Sequence, residues 1–355
     1  MTASFAISVP IGSYHPLLRD CLRSLAVQMP RPQIAVLDAS GDDRVAALLD
    51  GFSEIITYRR NGPDGGQSDA IIEGWANTDA DILGWLNADD ALYPGALAAA
   101  SKHYDENPDT DVFYGHSVIN DDDDAIKGFH WAVEPPSDRI LAGGIISQPS
   151  CFFRRSLVEA VGGLDQDLHF TMDWDLWIRF WRAGGKFRFS DEVFSRVLWS
   201  GDAKTGGFGA ARRRELERLI GQNESFIRRA KSRAGFALHH AFEYILPAAA
   251  TQAIRMRSAR KARAIHGIDR AGGIEGKAQL PLVHYDDADK TGLVIKLDGA
   301  SGRLNIAVGG TQVEAAGPGV YLLSFNHPLP AAQTMMVEME NIGQGPVRLL
   351  QAEWA

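Results

Sequence analysis

Four places in the 355-residue chain combine polar side chains with the spacing of a working site. Asp89 and Asp90 follow the apolar run DILGWL, with Asn87 and Ala88 between them. Adjacent carboxylates just past a buried strand repel each other, and a divalent cation relieves that repulsion. Mg2+ and Mn2+ favour oxygen ligands of this type and retain substrate phosphates in their shell. The same two acids also suit an N-cap for the helix expected after them, so both readings stand. Asp173 and Asp175 open the aromatic stretch MDWDLWIRFWR. Residues two apart diverge by about 200° around a helix, so only one of them faces a cleft. Asp175 stands four residues before Arg179 and suits a surface ion pair. That leaves Asp173, at the helix mouth, as the working carboxylate, with a plain N-cap as the alternative. The loop GPDGGQSDAI sets Gly65 and Gly66 ahead of a helix that Ser68 or Asp69 caps. Free N–H groups at such a helix start bind phosphate, although glycines there also serve simple turns. Pro10 after FAISV and Asp38 after QIAVL complete the set, because ligands of open α/β sheets bind beyond the carboxyl ends of strands.

The elements that must hold these residues follow from the hydrophobic pattern. FAISVP, QIAVLD, EIITYR and DILGWL are short apolar runs separated by the amphipathic stretches LLRDCLRSLAVQ, DDRVAALLDGF and SDAIIEGWAN. This alternation predicts an α/β domain, a sheet layered by helices. Pro94 suits a helix start in NADDALYPGALAAASKHY. Two further strands, DVFYGHSVIN and AIKGFHWAV, flank four aspartates at 121–124, read as a solvated hairpin turn. Trp174, Trp177, Ile178 and Trp181 form the buried stripe of the aromatic helix. From 208 to 270 the pattern is helical and interrupted at Pro247, and Gly272, Gly273 and Gly276 mark a linker. Beyond it GLVIKLDGA, RLNIAVGG, GVYLLSF, TMMVEMEN and VRLLQAEW alternate with a period of two, predicting a small all-β module, sandwich or jelly-roll-like. The expected division is 1–207, 208–270 and 271–355. Trp354 is expected to pack into the last module.

A net charge of -9 argues against general nucleic-acid binding. Residues 211–264 nevertheless hold 13 Lys or Arg against 4 Asp or Glu, leaving the remainder strongly acidic. This basic stretch fits either the surface of an anionic membrane or the acidic catalytic domain. With only Cys21 and Cys151, neither a disulfide framework nor a cysteine metal site is expected. The start MTASFAISVP has no signal-peptide pattern and no stretch is apolar enough to span a bilayer, so a cytoplasmic protein is expected, with a peripheral place at the inner face of the cell membrane under the first reading of the basic stretch.

In order and spacing, LRSLAVQ, VLDASGDD, PDGGQSDAI, GWLNADDALYPGAL, QPSCFFRRSLVEAVGGLD and MDWDLWIR resemble the family 2 glycosyltransferases over about residues 5 to 205. The resemblance implies the type A nucleotide-sugar-binding fold, a Rossmann-like mixed sheet with helices on both faces. It implies that Pro10 and Asp38 line the nucleoside site, and that Gly66, Gln67 and Asp69 lie near diphosphate and ribose. Asn87, Ala88 and Asp89 would meet the nucleotide sugar, with Asp89 and Asp90 holding Mn2+ or Mg2+. Asp173 falls on the catalytic-base position, and Gln148 and Trp174 would sit by the donor sugar or acceptor. The reaction implied is an inverting displacement from a nucleotide-diphosphate sugar, a UDP-sugar first, to a glycan or lipid-linked acceptor in bacterial surface polysaccharide assembly.

The chain departs from this pattern at three positions. Asn87 replaces the first acid of the metal motif, and Gly12 replaces a tyrosine that stacks on the base, a role left to Tyr14. Trp199 stands where relatives often carry histidine. Asn87 supports a second reading, a degenerate relative that binds nucleotide sugars or serves as a scaffold. A nucleotidyltransferase is disfavoured, because no glycine-rich phosphate signature directly follows the first strand. The β module is expected to serve oligomerisation or docking, with carbohydrate binding as the alternative. His239 and His240 are given no role.

Overall fold

A computed structural model describes residues 3–121, 125–130, 132, 138–141, 143–198, 210–222, 225–244, 265–269, 272–298, 302–343, 345 and 347–355. The chain forms two compact units. One comprises residues 1–117, 131–197 and 201–238, and the other 118–130, 198–200 and 239–355.

The first unit is built on parallel strands β1 (Phe5–Ile11), β2 (Gln33–Asp38), β3 (Ile56–Asn61) and β4 (Ile82–Trp85). Helices α1 (Leu18–Ala26), α2 (Asp43–Asp50) and α3 (Gln67–Ala76) make the crossovers. Antiparallel strands β8 (Cys151–Arg154) and β6 (Val112–Asn120) extend the sheet, giving the order β3-β2-β1-β4-β8-β6. The short β5 (Ala91–Leu92) pairs with the long β9 (Phe187–Leu198). This is the expected mixed sheet. Strands β1, β2 and β4 are buried along almost their whole length, as strands covered on both faces must be.

Two hydrophobic layers account for that burial. On one side Ile7, Val9 and Phe113 of the strands meet Leu22 of α1, Val45 of α2 and Leu97 of α4 (Ala96–Glu106). On the other, Trp75 of α3, Trp85 and Phe153 meet Leu157 of α5 (Arg155–Val161) and Trp177 of α6 (Met172–Arg182). Trp85 and Trp177 stack with centroids 6.0 Å apart. Helix α3 lies so close to the sheet that a Cβ on Gly74 would stand 2.9 Å from Leu37 Cδ2.

Helices α7 (Ala210–Gly221) and α8 (Phe226–Tyr244) continue the chain. Leu216, Leu219 and Ile220 of α7 join the core around Trp177, and the Phe236 ring meets Trp174 at 5.8 Å. The helical stretch is therefore no separate connecting segment up to residue 238: its apolar positions recur at helical spacing and bury against the sheet unit. Pro247, Trp199 and the basic run 257–263 lie outside the described residues.

In the second unit, β7 (Ile126–His130) pairs with β17 (Val347–Trp354), which is flanked by β12 (Lys290–Asp298) and β10 (Gly273–Ile274). The outer strand is β15 (Gly319–Leu329). A second antiparallel sheet has the order β11 (Lys277–Leu282), β16 (Met335–Asn341), β13 (Arg303–Val308), β14 (Thr311–Ala316). Alternating burial along β13 fits the expected sandwich. The boundary of the unit differs from the expected 271, because residues 118–130, the end of β6 and all of β7, belong with the late strands. Asp121 closes that hairpin through bonds with Ala125, and residues 122–124 lie outside the described residues.

The expected glycine linker is sheet instead. Gly272 accepts a bond from Leu349 N and Gly273 opens β10, with Gly272 answering a close backbone approach. At Gly272 (φ +80°) any Cβ would collide with the Leu349 carbonyl oxygen. Trp354 packs as expected, with His284 and Phe325 rings 5.4 and 6.4 Å away.

Candidate active site

The carboxyl ends of β1, β2 and β4 bring the first candidates together. Pro10 is half-buried and pairs in register with Leu37, next to Asp38. Asp38 is buried, and its Oδ1 accepts from Ser40 N at 2.9 Å and Ser40 Oγ at 2.6 Å. This local turn fixes the carboxylate at the strand end. Tyr14, left to stack on a base, carries the Arg44 guanidinium over its ring at 4.0 Å.

The glycine loop is shaped by its own acids. Asp64 Oδ1 accepts from Gly66 N and Asp69 Oδ2 from Gly65 N, each at 2.9 Å, while Arg60 holds the other oxygen of Asp64. Gly66 is the N-cap of α3 at φ +119°, ψ 178°, a conformation open only to glycine. Asp69 thus secures the residue before the cap, whereas Ser68 does not cap. The Ser68 hydroxyl instead donates to Met172 Sδ at 2.9 Å, tying the start of α3 to the residue before Asp173.

Gln67 and Asn87 form a chain with Asp90. Gln67 Nε2 donates to Asn87 Oδ1 at 2.7 Å, and Asn87 Nδ2 donates to Asp90 Oδ2 at 3.1 Å. Both ends of the Asn87 amide are engaged in the protein, and an aspartate there would lose the second bond. Asp90 is buried and Asp89, after Ala88, is half-buried. Together they push up the buried Cys21 thiol, second only to burial itself. Residues 89 and 90 precede β5, not a helix. Helix α4 starts only at Ala96, and Pro94 stands before its Gly95 cap, because β9 captures Ala91 and Leu92 as strand. The helix-cap reading of the pair therefore fails.

No group of three or more His, Cys, Asp or Glu is gathered for a metal among the described residues. The donors at hand are two carboxylates and an amide. That oxygen set fits a hard divalent cation taking its remaining ligands from a diphosphate and water.

Asp173 is the second residue of α6, whose N-cap is Thr171, so the plain N-cap reading fails too. Its Oδ1 accepts from Trp174 N at 2.7 Å. Burial raises its affinity for a proton above that of an ordinary aspartate, against the opposing pull of backbone N–H groups and the Arg212 cation. Its charge in turn adds to the burial that raises the thiol of Cys151, the first residue of β8. Asp175 points the other way, as the helix geometry requires. Its pair with Arg179 is not at the surface: Asp175 is buried and the bond is 2.7 Å, and Arg179 also donates to the carbonyls of Val161, the last residue of α5, and Gly163 just beyond it.

Gln148 sits in a short 3-10 turn (Gln148–Ser150) directly ahead of β8. Its Nε2 donates to the Trp85 carbonyl at 2.7 Å, two residues before Asn87. Four buried hydroxyls that sequence reading missed fasten this turn. Ser117 meets Ser150 and Ser195 at 2.9 and 2.7 Å, and Ser147 also bonds Ser117. Trp174 is placed differently from its expected role. Its ring is buried and its Nε1 donates to the Ile140 carbonyl at 2.6 Å, so it forms wall and not open sugar-facing surface. Sequence reading also missed Glu215, a buried acid of α7 bonded to the backbone ahead of α6.

The site thus joins the phosphate-type loop, the Asn87–Asp90 segment, the Gln148 turn and Asp173. Residues 8–174 match the family model described as glycosyl transferase family 2, a span running from β1 through Asp173. An uncharacterised glycosyltransferase of Mycobacterium tuberculosis is 28% identical over 188 residues, covering 50% of this chain and 70% of the relative. Among solved structures, residues 1–349 of S. aureus TarS in complex with UDP-GlcNAc superpose with a TM-score of 0.49 at 14% identity, covering 67% of this chain and 72% of that one. The mannosyltransferase PcManGT from Pyrobaculum calidifontis, in complex with GDP-Man and Mn2+, gives 0.47 at 18%, covering 73% and 76%. Those motifs lie on those strand ends within residues 8–174, the stretch that matches the glycosyl transferase family 2 model, and this unit is that of a glycosyltransferase.

Proposed function

We propose that the enzyme moves a sugar from a nucleotide-diphosphate donor to an acceptor hydroxyl by a single inverting displacement, with Asp173 as base. The observation that carries this reading is the setting of Asp173. It is a half-buried carboxylate of raised proton affinity at the start of α6, one residue after Met172, whose sulfur receives the Ser68 hydroxyl from the start of α3. Asp173 takes the acceptor proton as the hydroxyl oxygen attacks the anomeric carbon, and the nucleoside diphosphate departs with the electrons of the broken bond. A Mn2+ or Mg2+ ion at Asp89 and Asp90 supplies charge neutralisation at the diphosphate when bound. Pro10 and Asp38 hold the nucleoside, Gly66, Gln67 and Asp69 border diphosphate and ribose, and Gln148 borders the sugar. A UDP-sugar is the first donor to test, since UDP-GlcNAc and UDP are bound by TarS structures. Turnover with a donor panel, with and without Mn2+, tests this. Retained anomeric configuration in the product, read by proton NMR, overturns the inverting displacement.

The acceptor belongs to bacterial surface glycan assembly, free or lipid-linked, in this reading. A cytoplasmic enzyme seated on the inner face of the cell membrane accords with α8. Phe226, Ile227 and Leu238 are 72%, 65% and 56% exposed, with Lys231 and Arg233 exposed beside them. No helix among the described residues is long and apolar enough to cross a bilayer. Co-sedimentation with vesicles containing phosphatidylglycerol tests the contact, and equal recovery with neutral vesicles argues against its electrostatic part. The β module serves docking or oligomerisation, supported by exposed Val320 and Leu322 on its outer strand β15. A second reading, a nucleotide-sugar-binding relative without turnover, rests on Asn87. Binding without transfer across the donor panel is its signature.

A further inference from the structure

We propose that Glu215 is a positioning residue for the reaction, fixing the start of α6 and through it Asp173; this rests on the reading of Asp173 as base. Glu215 lies in the basic helix α7, 42 positions beyond Asp173 in the chain. Its side chain is buried in the first unit. Oε1 accepts from His169 N at 2.9 Å. Oε2 accepts from Phe170 N at 2.9 Å, and from Thr171 N and Thr171 Oγ1 at 3.1 Å each. One carboxylate thus collects three consecutive backbone N–H groups and the hydroxyl of the α6 N-cap, which has no side-chain cap bond of its own. A buried carboxylate is tolerated only when bonded in this way, so the geometry is strongly specified.

The clamp is held firmly on its own side. Leu216, Leu219 and Ile220 anchor α7 in the core with Trp174 and Trp177, and Arg218 pairs with Asp165 at 2.7 Å. The loop before α6 is therefore gripped at Asp165 and again at residues 169–171. Within and just after that span, the Leu168 carbonyl and Met172 Sδ receive the Ser68 hydroxyl from the start of α3. Releasing Glu215 frees the segment that sets Asp173 against the phosphate-type loop. Glu215 touches no reacting atom in this account and acts through the backbone.

Four forms are compared: native, Glu215→Gln, Asp173→Asn and the double variant. Glutamine keeps the shape but offers one acceptor oxygen and turns an NH2 toward the amides. The expected result is a fall in kcat of about 10- to 100-fold, the range of a misplaced catalytic group. Donor Kd by calorimetry stays within about twofold, circular dichroism is unchanged, and hydrogen exchange at amides 169–171 accelerates. In the Asp173→Asn background the same substitution costs less than about twofold more, since no base remains to be positioned. A Glu215→Gln kcat within about twofold of native while Asp173→Asn is inactive overturns the positioning role and leaves the base reading standing. An equal fold-loss in both backgrounds, or a kcat loss without faster exchange at 169–171, also overturns it. Native turnover in Asp173→Asn instead removes the base reading, and this proposal with it.

Discussion

Replacing Asn87 by Asp tests how the metal motif is built. In the native chain the Asn87 amide donates to Asp90 Oδ2 at 3.1 Å and accepts from Gln67 Nε2 at 2.7 Å. Aspartate keeps the bond from Gln67 and converts the other into two facing carboxylates. A lost hydrogen bond to a charged group is worth about 1.5–3 kcal/mol. Like charges about 4 Å apart add repulsion of up to ~4 kcal/mol at an effective dielectric of 20, less what water reaching the half-buried residue 87 screens. A net destabilisation of about 2–3 kcal/mol is the working figure after local relaxation, equivalent to about 4–12 °C in Tm for a unit of this size. A divalent cation relieves the repulsion, so the loss should appear in EDTA and shrink in Mn2+. Thermal unfolding of both proteins in the two buffers, following the first transition, measures this directly. Asn87→Asp melting within about one degree of native in EDTA, and responding to Mn2+ as native does, refutes the bridging account of Asn87.

Three further outcomes follow from the same geometry. Arg179→Leu leaves the buried Asp175 carboxylate without its partner and should cost about 3–5 kcal/mol, read by urea unfolding; a loss below about 1 kcal/mol argues against the pair as the tie between α5 and α6. Gly66→Ala forces a side chain into φ +119° and should cost about 1–3 kcal/mol while weakening donor binding, measured by melting and calorimetry together. Because burial shifts Asp173 upward, it keeps its proton to higher pH than an ordinary aspartate at 3.8, so the basic form is lost earlier on acidification. The acidic limb of the kcat/KM profile should therefore fall above that value and be absent in Asp173→Asn; an unshifted limb contradicts the assignment.

Much of the catalytic unit was legible because its signals are local. Apolar runs such as QIAVLD are buried strands, and the polar residue closing each one lies at the carboxyl end where parallel order puts a site. The opposed directions of Asp173 and Asp175 followed from helical spacing alone. What escaped depends on partners distant in sequence. The fourfold bonding of Glu215 joins residues 44–46 apart, and its place in RRRELER reads as a solvated basic face. The hydroxyl cluster of Ser117, Ser147, Ser150 and Ser195 spans up to 78 positions, and no period marks it. Trp174 carried the pattern of both a core residue and a sugar platform, and packing against Ile140 and Phe236 decided for the core. Gly272 has a linker's composition but a sheet's reason, a backbone too close for a side chain.

Asp173 as the base is the centre of the proposed mechanism. Transfer kinetics of Asp173→Asn, with the donor that the native enzyme turns over and with donor affinity measured alongside, isolate it. With Asp173 as base, kcat falls by about 10²- to 10⁴-fold, the usual contribution of a general base, while donor affinity stays within about twofold of native. A variant that binds the donor equally well and transfers it at the native rate contradicts the account.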